Sequence, residues 1–272
     1  MLIRQQRGFT LTEVAVAFLI IALLLGGAVM TLQAQIEQRN FDEAQRRLNA
    51  AAEAVLSFAL INRRLPCPAR FVNAATHSAG RESFCSSATA LPAACPSHTT
   101  TPALPVHGNC STYYAGYLPA VNVGAGPVDS LGFAVDPWGN RLRYVISMNY
   151  VNCPTAPPAA TPRLFTNQAN LKNAGIGCLP NDLDVCTTSG CVARAVSQQT
   201  AVFIVYSTGK NGAIPADPLN RPNEAENLDG DATFVMRVPD SPAAAGGQFD
   251  DLMLPVPVGQ LYSRLVSAGV LP

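Results

Sequence analysis

One carboxylate in this sequence lies next to a long apolar segment, where burial of a charge is energetically unfavourable. Glu13 comes directly before an apolar run, Val14–Leu32, and a carboxylate carried to the middle of a bilayer would cost about 3 kcal/mol. One interpretation places Glu13 at the level of the lipid headgroups, in the first turn of a helix, where a negative charge suits the helix dipole. The other pairs it with a cation, which makes a buried charge tolerable. Its chemistry would then be ion pairing.

The eight cysteines indicate disulfide chemistry. All of them lie beyond the apolar run, and the C-x-x-C pair expected of a zinc site does not occur. An even count in a Pro- and Gly-rich region is typical of an oxidising, extracytoplasmic compartment. The loops from Cys186 to Cys191 and from Cys85 to Cys95 are the easiest closures, but the pairing as a whole stays open. The candidates are Cys67, Cys85, Cys95, Cys110, Cys153, Cys178, Cys186 and Cys191.

A segment in the C-terminal third is rich in oxygen ligands. Residues 223–231 read N-E-A-E-N-L-D-G-D, and carboxylate and amide oxygens are the ligands that calcium prefers. The spacing of an EF-hand loop is not met, so a solvated polar loop is the alternative. The calcium candidates are Glu224, Glu226, Asn227, Asp229 and Asp231.

The sequence contains no recognisable catalytic set. The histidines, His77, His98 and His107, lie in a Cys- and Pro-rich loop, and the chain has neither G-x-S-x-G nor H-E-x-x-H. Asp250 and Asp251 could act as an acid and a base, but a solvated turn is expected because no nucleophile or metal motif lies beside them. With 18 basic and 18 acidic residues and no basic cluster, nucleic-acid binding is not expected. We therefore predict no enzyme, and no cofactor other than calcium.

The element that must position Glu13 is a long helix. The apolar run covers about 28 Å as a helix, which is enough to cross a bilayer, and Arg4 and Arg7 before it place the N-terminus in the cytoplasm. Beyond the run, apolar residues recur at a spacing of three or four, which is typical of an amphipathic helix. No proline occurs before Pro66, so the helix is predicted over Thr10–Asn62.

The residues Gly8-Phe9-Thr10-Leu11-Thr12-Glu13, after a short basic leader and before the apolar helix, resemble the processing motif of type IV prepilins and type II secretion pseudopilins. The resemblance implies that a prepilin peptidase in the membrane cuts after Gly8 and methylates Phe9. It also implies that Glu13 contacts the Phe9 amine of an adjacent subunit during assembly. Such a pair is physically reasonable, since a carboxylate offsets an ammonium group at the positive end of a helix dipole.

The rest of the chain is predicted to form an α+β head. Residues 69–112 are a Cys- and Pro-rich insertion, and the turn D-P-W-G-N at 136–140 with the strand at 141–147 looks like that of the major pseudopilin of type II secretion. Strands at 201–206 and 233–238 would complete an antiparallel sheet, followed by a short strand and a short helix near the C-terminus. The resemblance implies a ladle, a long helix packed on this sheet with disulfide-pinned loops. The pseudopilin has a calcium loop in the region of residues 223–231, although this segment departs from it in length and order.

These features predict a leader at 1–8, a transmembrane half of the helix at 9–32, an amphipathic half at 33–62 and a head at 63–272. The predicted function is a structural subunit of a type IV pilus or a type II secretion pseudopilus, with the head in the periplasm and later in a filament. Its partners would be other pilin or pseudopilin subunits, the prepilin peptidase and the inner membrane. Two alternatives stay open: a signal-anchored periplasmic enzyme, and a filament-tip adhesin or DNA-uptake minor pilin suggested by the large insertion.

Overall fold

A computed structural model describes residues 10–71, 79–88, 95, 97–102, 104–154, 163–212, 214–215, 217–240 and 247–271, apart from the side chains of 25–31. The chain divides into two compact units, Met1–Glu43 and Ala44–Pro272. We call them the N-terminal unit and the head unit, and we describe each by itself.

The described residues form five α-helices and nine short strands. The helices are α1 Leu11–Asn62, α2 Ala120–Val123, α3 Gln168–Ala174, α4 Pro222–Glu226 and α5 Val258–Ser267. A 3-10 turn, Gly175–Gly177, follows α3. The strands are β1 Phe84–Cys85, β2 His98–Thr99, β3 Arg143–Ile146, β4 Tyr150–Val151, β5 Leu179–Pro180, β6 Asp184–Cys186, β7 Ala201–Ser207, β8 Thr233–Val235 and β9 Leu252–Pro257.

Helix α1 has the bounds that the sequence predicts, to within one residue. It ends at Asn62 because Arg63 takes a left-handed backbone conformation, with φ of 55°, and Pro66 follows three residues later. The 52 residues between its ends contain no proline, so no backbone donor is missing along its length.

The main sheet is antiparallel, with the order β3-β7-β9. Strand β7 lies in the centre, and all seven of its residues are buried. Phe203 and Val205 face one side of the sheet, whereas Ile204 and Tyr206 face the other. This is why the strand reads as a continuous apolar run rather than as an alternating one.

The core of the head unit lies between the sheet and the second half of α1. Leu48, Val55 and Leu56 of α1 are fully buried in the same cluster as Tyr144 and Phe203 of the sheet. On the opposite face, β6 and β8 cover the sheet with Val185 and Phe234, among others. The predicted α+β class, a long helix on an antiparallel sheet with disulfide-bonded loops, is confirmed.

One prediction about the strands needs correction. The segment 233–238 does not join the main sheet: β8 ends at Val235 and pairs in parallel with β6. The third strand of the main sheet is β9, and its register places Met253 opposite Tyr206. The pairing of β7 with β9 joins residues about fifty positions apart, and no local pattern in the sequence specifies such a contact.

The cysteines form four disulfides, as the sequence predicts for an oxidising compartment. The two shortest loops, Cys186 to Cys191 and Cys85 to Cys95, are both closed. The other bonds join Cys153 to Cys178 and Cys67 to Cys110. The last of these closes the base of the 69–112 insertion, and both of its residues are fully buried in the core.

Removing the disulfide at the base of the insertion is expected to destabilise the head unit more than removing the shortest one. The sequence separations are 43 for Cys67 and Cys110 and 5 for Cys186 and Cys191. Loop-closure entropy makes these bonds worth about 4 and about 2 kcal/mol. Paired Cys→Ala variants of each bond can be compared by guanidinium unfolding, followed through Trp138, the only tryptophan. An equal decrease in the free energy of unfolding for both pairs of substitutions would contradict the loop-length explanation.

Candidate functional site: the N-terminal motif and the acidic cluster

The first described residues form a reciprocal helix cap. The Thr10 backbone N–H and the Thr10 hydroxyl donate to Glu13 Oε2, at 2.9 and 2.8 Å. In return, the Glu13 backbone N–H donates to Thr10 Oγ1 at 3.3 Å. This is a capping box of the T-x-x-E type, and it satisfies donors that the first turn of a helix otherwise leaves open.

Thr10 was not identified from the sequence as a helix-capping residue, although the spacing T-x-x-E at 10–13 is the sequence signature of a capping box. Gly8 and Phe9, the predicted processing residues, lie outside the described residues. A cut after Gly8 would leave the peptide bond between Phe9 and Thr10 intact. The Thr10 amide would therefore remain available to cap the helix, while the new amine would form one residue before it.

The side chains that follow the cap expose apolar surface. Leu11 is 87% exposed and Leu23 is 70% exposed, and Phe18, Leu19 and Ile20 are exposed as well. Apolar surface of this kind on a helix marks contact with other helices or with lipid. Within the described part of the chain, no helix is both long and apolar enough to cross a membrane.

A family model described as the prokaryotic N-terminal methylation motif matches residues 3–29. The motif marks this chain as a type IV pilin- or pseudopilin-like prepilin. It implies anchoring in the inner membrane before assembly, processing by a prepilin peptidase and assembly with pilins. Pilin-like proteins are generally not enzymes. No curated protein and no solved structure matches the chain.

In the head unit of this prepilin, the D-P-W-G-N turn is tied to the end of the central strand. Asp136 Oδ1 accepts hydrogen bonds from the backbone N–H groups of Trp138 and Asn140, at 3.0 and 2.8 Å. Its other oxygen accepts from the Ser207 hydroxyl at 2.6 Å, and Asn140 donates to the Gly209 carbonyl at 2.6 Å. The turn therefore holds β7 and the start of β3 together, which is a structural role.

The structure divides the predicted calcium ligands between two places. Carboxylate oxygens of Glu226, Asp229 and Asp231 lie within 4.8 Å of one another near the surface. Asn227 is buried, and its side chain bonds to both backbone groups of Val235, accepting at 2.7 Å and donating at 3.1 Å. Glu224 faces the interior. The five candidates therefore do not form one coordination shell. Calcium binding stays a prediction.

Glu224 belongs instead to a buried acidic cluster with Asp250 and Asp251, whose oxygens also lie within 4.8 Å of one another. All three are at most 6% exposed, so the interpretation of this aspartate pair as a solvated turn is wrong. The Asn211 amide donates to both Glu224 oxygens at 3.0 Å, and Arg221 donates at 2.9 Å. Arg221 thus forms an ion pair with Glu224 inside this cluster.

Burial raises the pKa of Asp251 well above its usual range, and the charges of Glu224 and Asp250 raise it further. The hydrogen bond from Asn227 and the charge of Arg221 act in the opposite direction. A folded state with a raised carboxyl pKa binds a proton that the unfolded chain releases. The stability from this group is therefore present below the unfolded pKa of about 3.9 and is lost as pH rises toward the folded value.

Asp251→Asn is accordingly expected to raise the thermal midpoint of the full-length protein by a few degrees at pH 7, with no gain near pH 4. The asparagine keeps an acceptor for Asn227 and removes a charge that burial disfavours. The midpoint is measured through Trp138 fluorescence in EDTA. Added Ca²⁺ gives a separate comparison. If the buried cluster binds Ca²⁺, the ion should raise the thermal midpoint of the unmodified protein more than that of Asp251→Asn. Asp229→Asn is the control for the surface group of Glu226, Asp229 and Asp231. A gain of equal size at both pH values would contradict a titrating Asp251.

The described histidines take part in no catalytic grouping. The His98 ring nitrogen Nδ1 lies 3.3 Å from Cys95 Sγ, and His107 Nδ1 accepts from the Asn109 backbone N–H at 3.0 Å. His77 lies outside the described residues. The groups of three or more metal-ligating side chains found in the described part of the chain contain no histidine.

Proposed function

We propose that this prepilin is a structural subunit of a type IV pilus or a type II secretion pseudopilus. The single observation that carries the proposal is the methylation motif at 3–29, which includes the first part of the 52-residue helix α1. In this proposal the leader 1–8 is removed after Gly8 and Phe9 is N-methylated. Residues 9–32 anchor the subunit in the inner membrane, with the N-terminus cytoplasmic and the head, 63–272, periplasmic.

Assembly would proceed by packing of the N-terminal helices. The exposed apolar side chains of α1 support this, because they lose contact with water or lipid when helices of several subunits associate. Glu13 lies at the start of that helix, where it can pair with the Phe9 amine of a neighbouring subunit. The disulfides of the head unit suit exposure outside the cytoplasm.

Mass spectrometry of the N-terminal peptide tests the proposal. The peptide is taken separately from sheared surface material and from membranes of the native host. We expect a chain that begins at methylated Phe9. Its presence in sheared material would assign the subunit to a surface pilus, and its confinement to membranes would assign it to a pseudopilus or make it a rare priming subunit. An intact Met1 in every fraction would contradict the proposal and favour a signal-anchored periplasmic protein.

A further inference from the structure

A pocket of about 650 Å³ lies in the head unit at the C-terminal end of α1. It is bounded by that helix end, by the segment 104–106 and by the start of α3. Its volume is in the range of about 300–1,000 Å³ that is usual for ligand sites. The lining residues that matter below are Ile61, Arg63, Arg64, Leu104, Gln168 and Lys172.

The walls of this pocket are fixed by hydrogen bonds. The Leu65 backbone N–H donates to the Phe165 carbonyl at 2.7 Å and holds the end of α1 against the segment before α3. Asn167 caps α3 by accepting from the Asn170 N–H at 3.0 Å, and its amide donates to the His107 carbonyl at 3.1 Å. The pocket is therefore formed before any ligand arrives.

Two neighbouring arginines line the pocket in different ways. Arg64 is 6% exposed, and its guanidinium is neutralised by Glu82. Arg63 is exposed and makes no ion pair with any described residue, and the same holds for Lys172 on α3. The described lining contains no carboxylate. In a chain with equal numbers of acidic and basic residues, this pocket carries two uncompensated positive charges.

Apolar side chains stand beside these charges. Ile61 is 80% exposed and Leu104 is 86% exposed, although both are large aliphatic residues. A ligand that carries an aliphatic group next to a carboxylate would remove them from water and pair the cations at the same time. Neither a bare inorganic anion nor a sugar acid offers that combination.

We propose that this pocket binds an acidic peptide segment of another protein, in which carboxylates alternate with aliphatic side chains. The carboxylates pair with Arg63 and Lys172, and an aliphatic side chain packs on Ile61 and Leu104. Gln168, four residues before Lys172, lies on the same face of α3 and can bond to the peptide backbone. The inference does not depend on processing or on filament assembly.

The test measures binding of a fluorescein-labelled peptide, Gly-Glu-Leu-Asp-Leu-Gly, to the full-length protein in phosphatidylcholine nanodiscs by fluorescence anisotropy. We expect binding that weakens with added salt. Arg63→Asn and Lys172→Gln should each raise Kd about tenfold, as expected for loss of a charged hydrogen bond. Asparagine is chosen at position 63 because it tolerates the left-handed backbone.

Arg81→Gln is the matched control, since it removes one exposed cation from outside the pocket lining and should leave Kd unchanged. Trp138 fluorescence melts verify that each variant is folded. No binding of the acidic peptide up to about 1 mM, the weak end of specific recognition, would overturn the proposal. Equal binding of a Gln/Asn version of the peptide would overturn it as well. The proposal would also be overturned if Arg63→Asn and Lys172→Gln left Kd unchanged. Binding of oligogalacturonate in place of the peptide would overturn it too.

Discussion

Glu13→Ala is expected to leave cleavage after Gly8 intact and to reduce the assembled fraction of this prepilin about tenfold or more. The cut creates an ammonium group on Phe9 at the positive end of the α1 dipole, where a cation is unfavourable. In the proposed filament, a neighbouring Glu13 offsets that charge, and removal of one partner leaves the other buried and unpaired. The measurement is the ratio of assembled to membrane-bound protein after shearing, by immunoblot.

The capping box allows the two roles of Glu13 to be separated. Glu13→Gln keeps an acceptor for the Thr10 N–H, so the cap remains, but the charge is lost. Thr10→Ala keeps the charge and removes the hydroxyl that accepts from Glu13. If the charge is what assembly requires, the glutamine variant fails like the alanine variant, and Thr10→Ala assembles. Normal assembly of Glu13→Gln would contradict the ion pair and leave helix capping as the role.

Glu82→Ala is expected to lower the free energy of unfolding of the head unit by about 3–5 kcal/mol, the usual cost of removing one partner of a buried ion pair. Glu82 and Arg64 are 4% and 6% exposed, and they form two hydrogen bonds of 2.6 and 2.9 Å. Glu82 also accepts from the Cys67 backbone N–H at 2.8 Å. The substitution therefore leaves the buried Arg64 guanidinium without its counter-ion, although it still donates to the Leu65 carbonyl at 3.1 Å, and leaves the buried Cys67 amide without the Glu82 acceptor.

Glu53→Ala provides the control for this effect. Glu53 pairs with Arg264 at 2.7 Å, but the two side chains are 51% and 36% exposed. Exposed pairs contribute at most about 1 kcal/mol, because solvent screens them. Both variants can be compared by urea unfolding of the full-length protein through Trp138. A similar small loss in both would show that burial of the Arg64–Glu82 pair does not determine its contribution.

Local patterns predicted the parts of this protein that local physics determines. The absence of proline to position 66 and the apolar spacing are enough for α1, and the β-branched run at 201–206 is enough for the central strand. The processing motif is local as well, although the partner of Glu13 within its own chain, Thr10, was overlooked.

What the sequence did not predict depends on contacts between distant residues. The parallel pairing of β6 with β8 joins Val185 to Phe234. Asp250 and Asp251 are buried because the fold places them beside Glu224, Asn211 and Arg221. The spacing of charged residues in the sequence does not predict this burial. The pairing of the two more distant cysteine pairs also depends on the folded structure. The two short disulfide loops, in contrast, could be proposed from their small sequence separation alone.

The position of β9 in the chain has a consequence for export. The central strand β7, which is buried along its whole length, pairs with β9 at Leu252–Pro257, near the end of a 272-residue chain. In the proposed topology the N-terminus stays cytoplasmic and the head crosses from residue 63 onward, so β7 has one unpaired edge until about fifty further residues have crossed. Open apolar edges of this kind recruit other strands. Under the proposed function, the main sheet can therefore close only after residues 252–257 have crossed, and until then the free edge of residues 201–207 is open to pairing with strands of other chains.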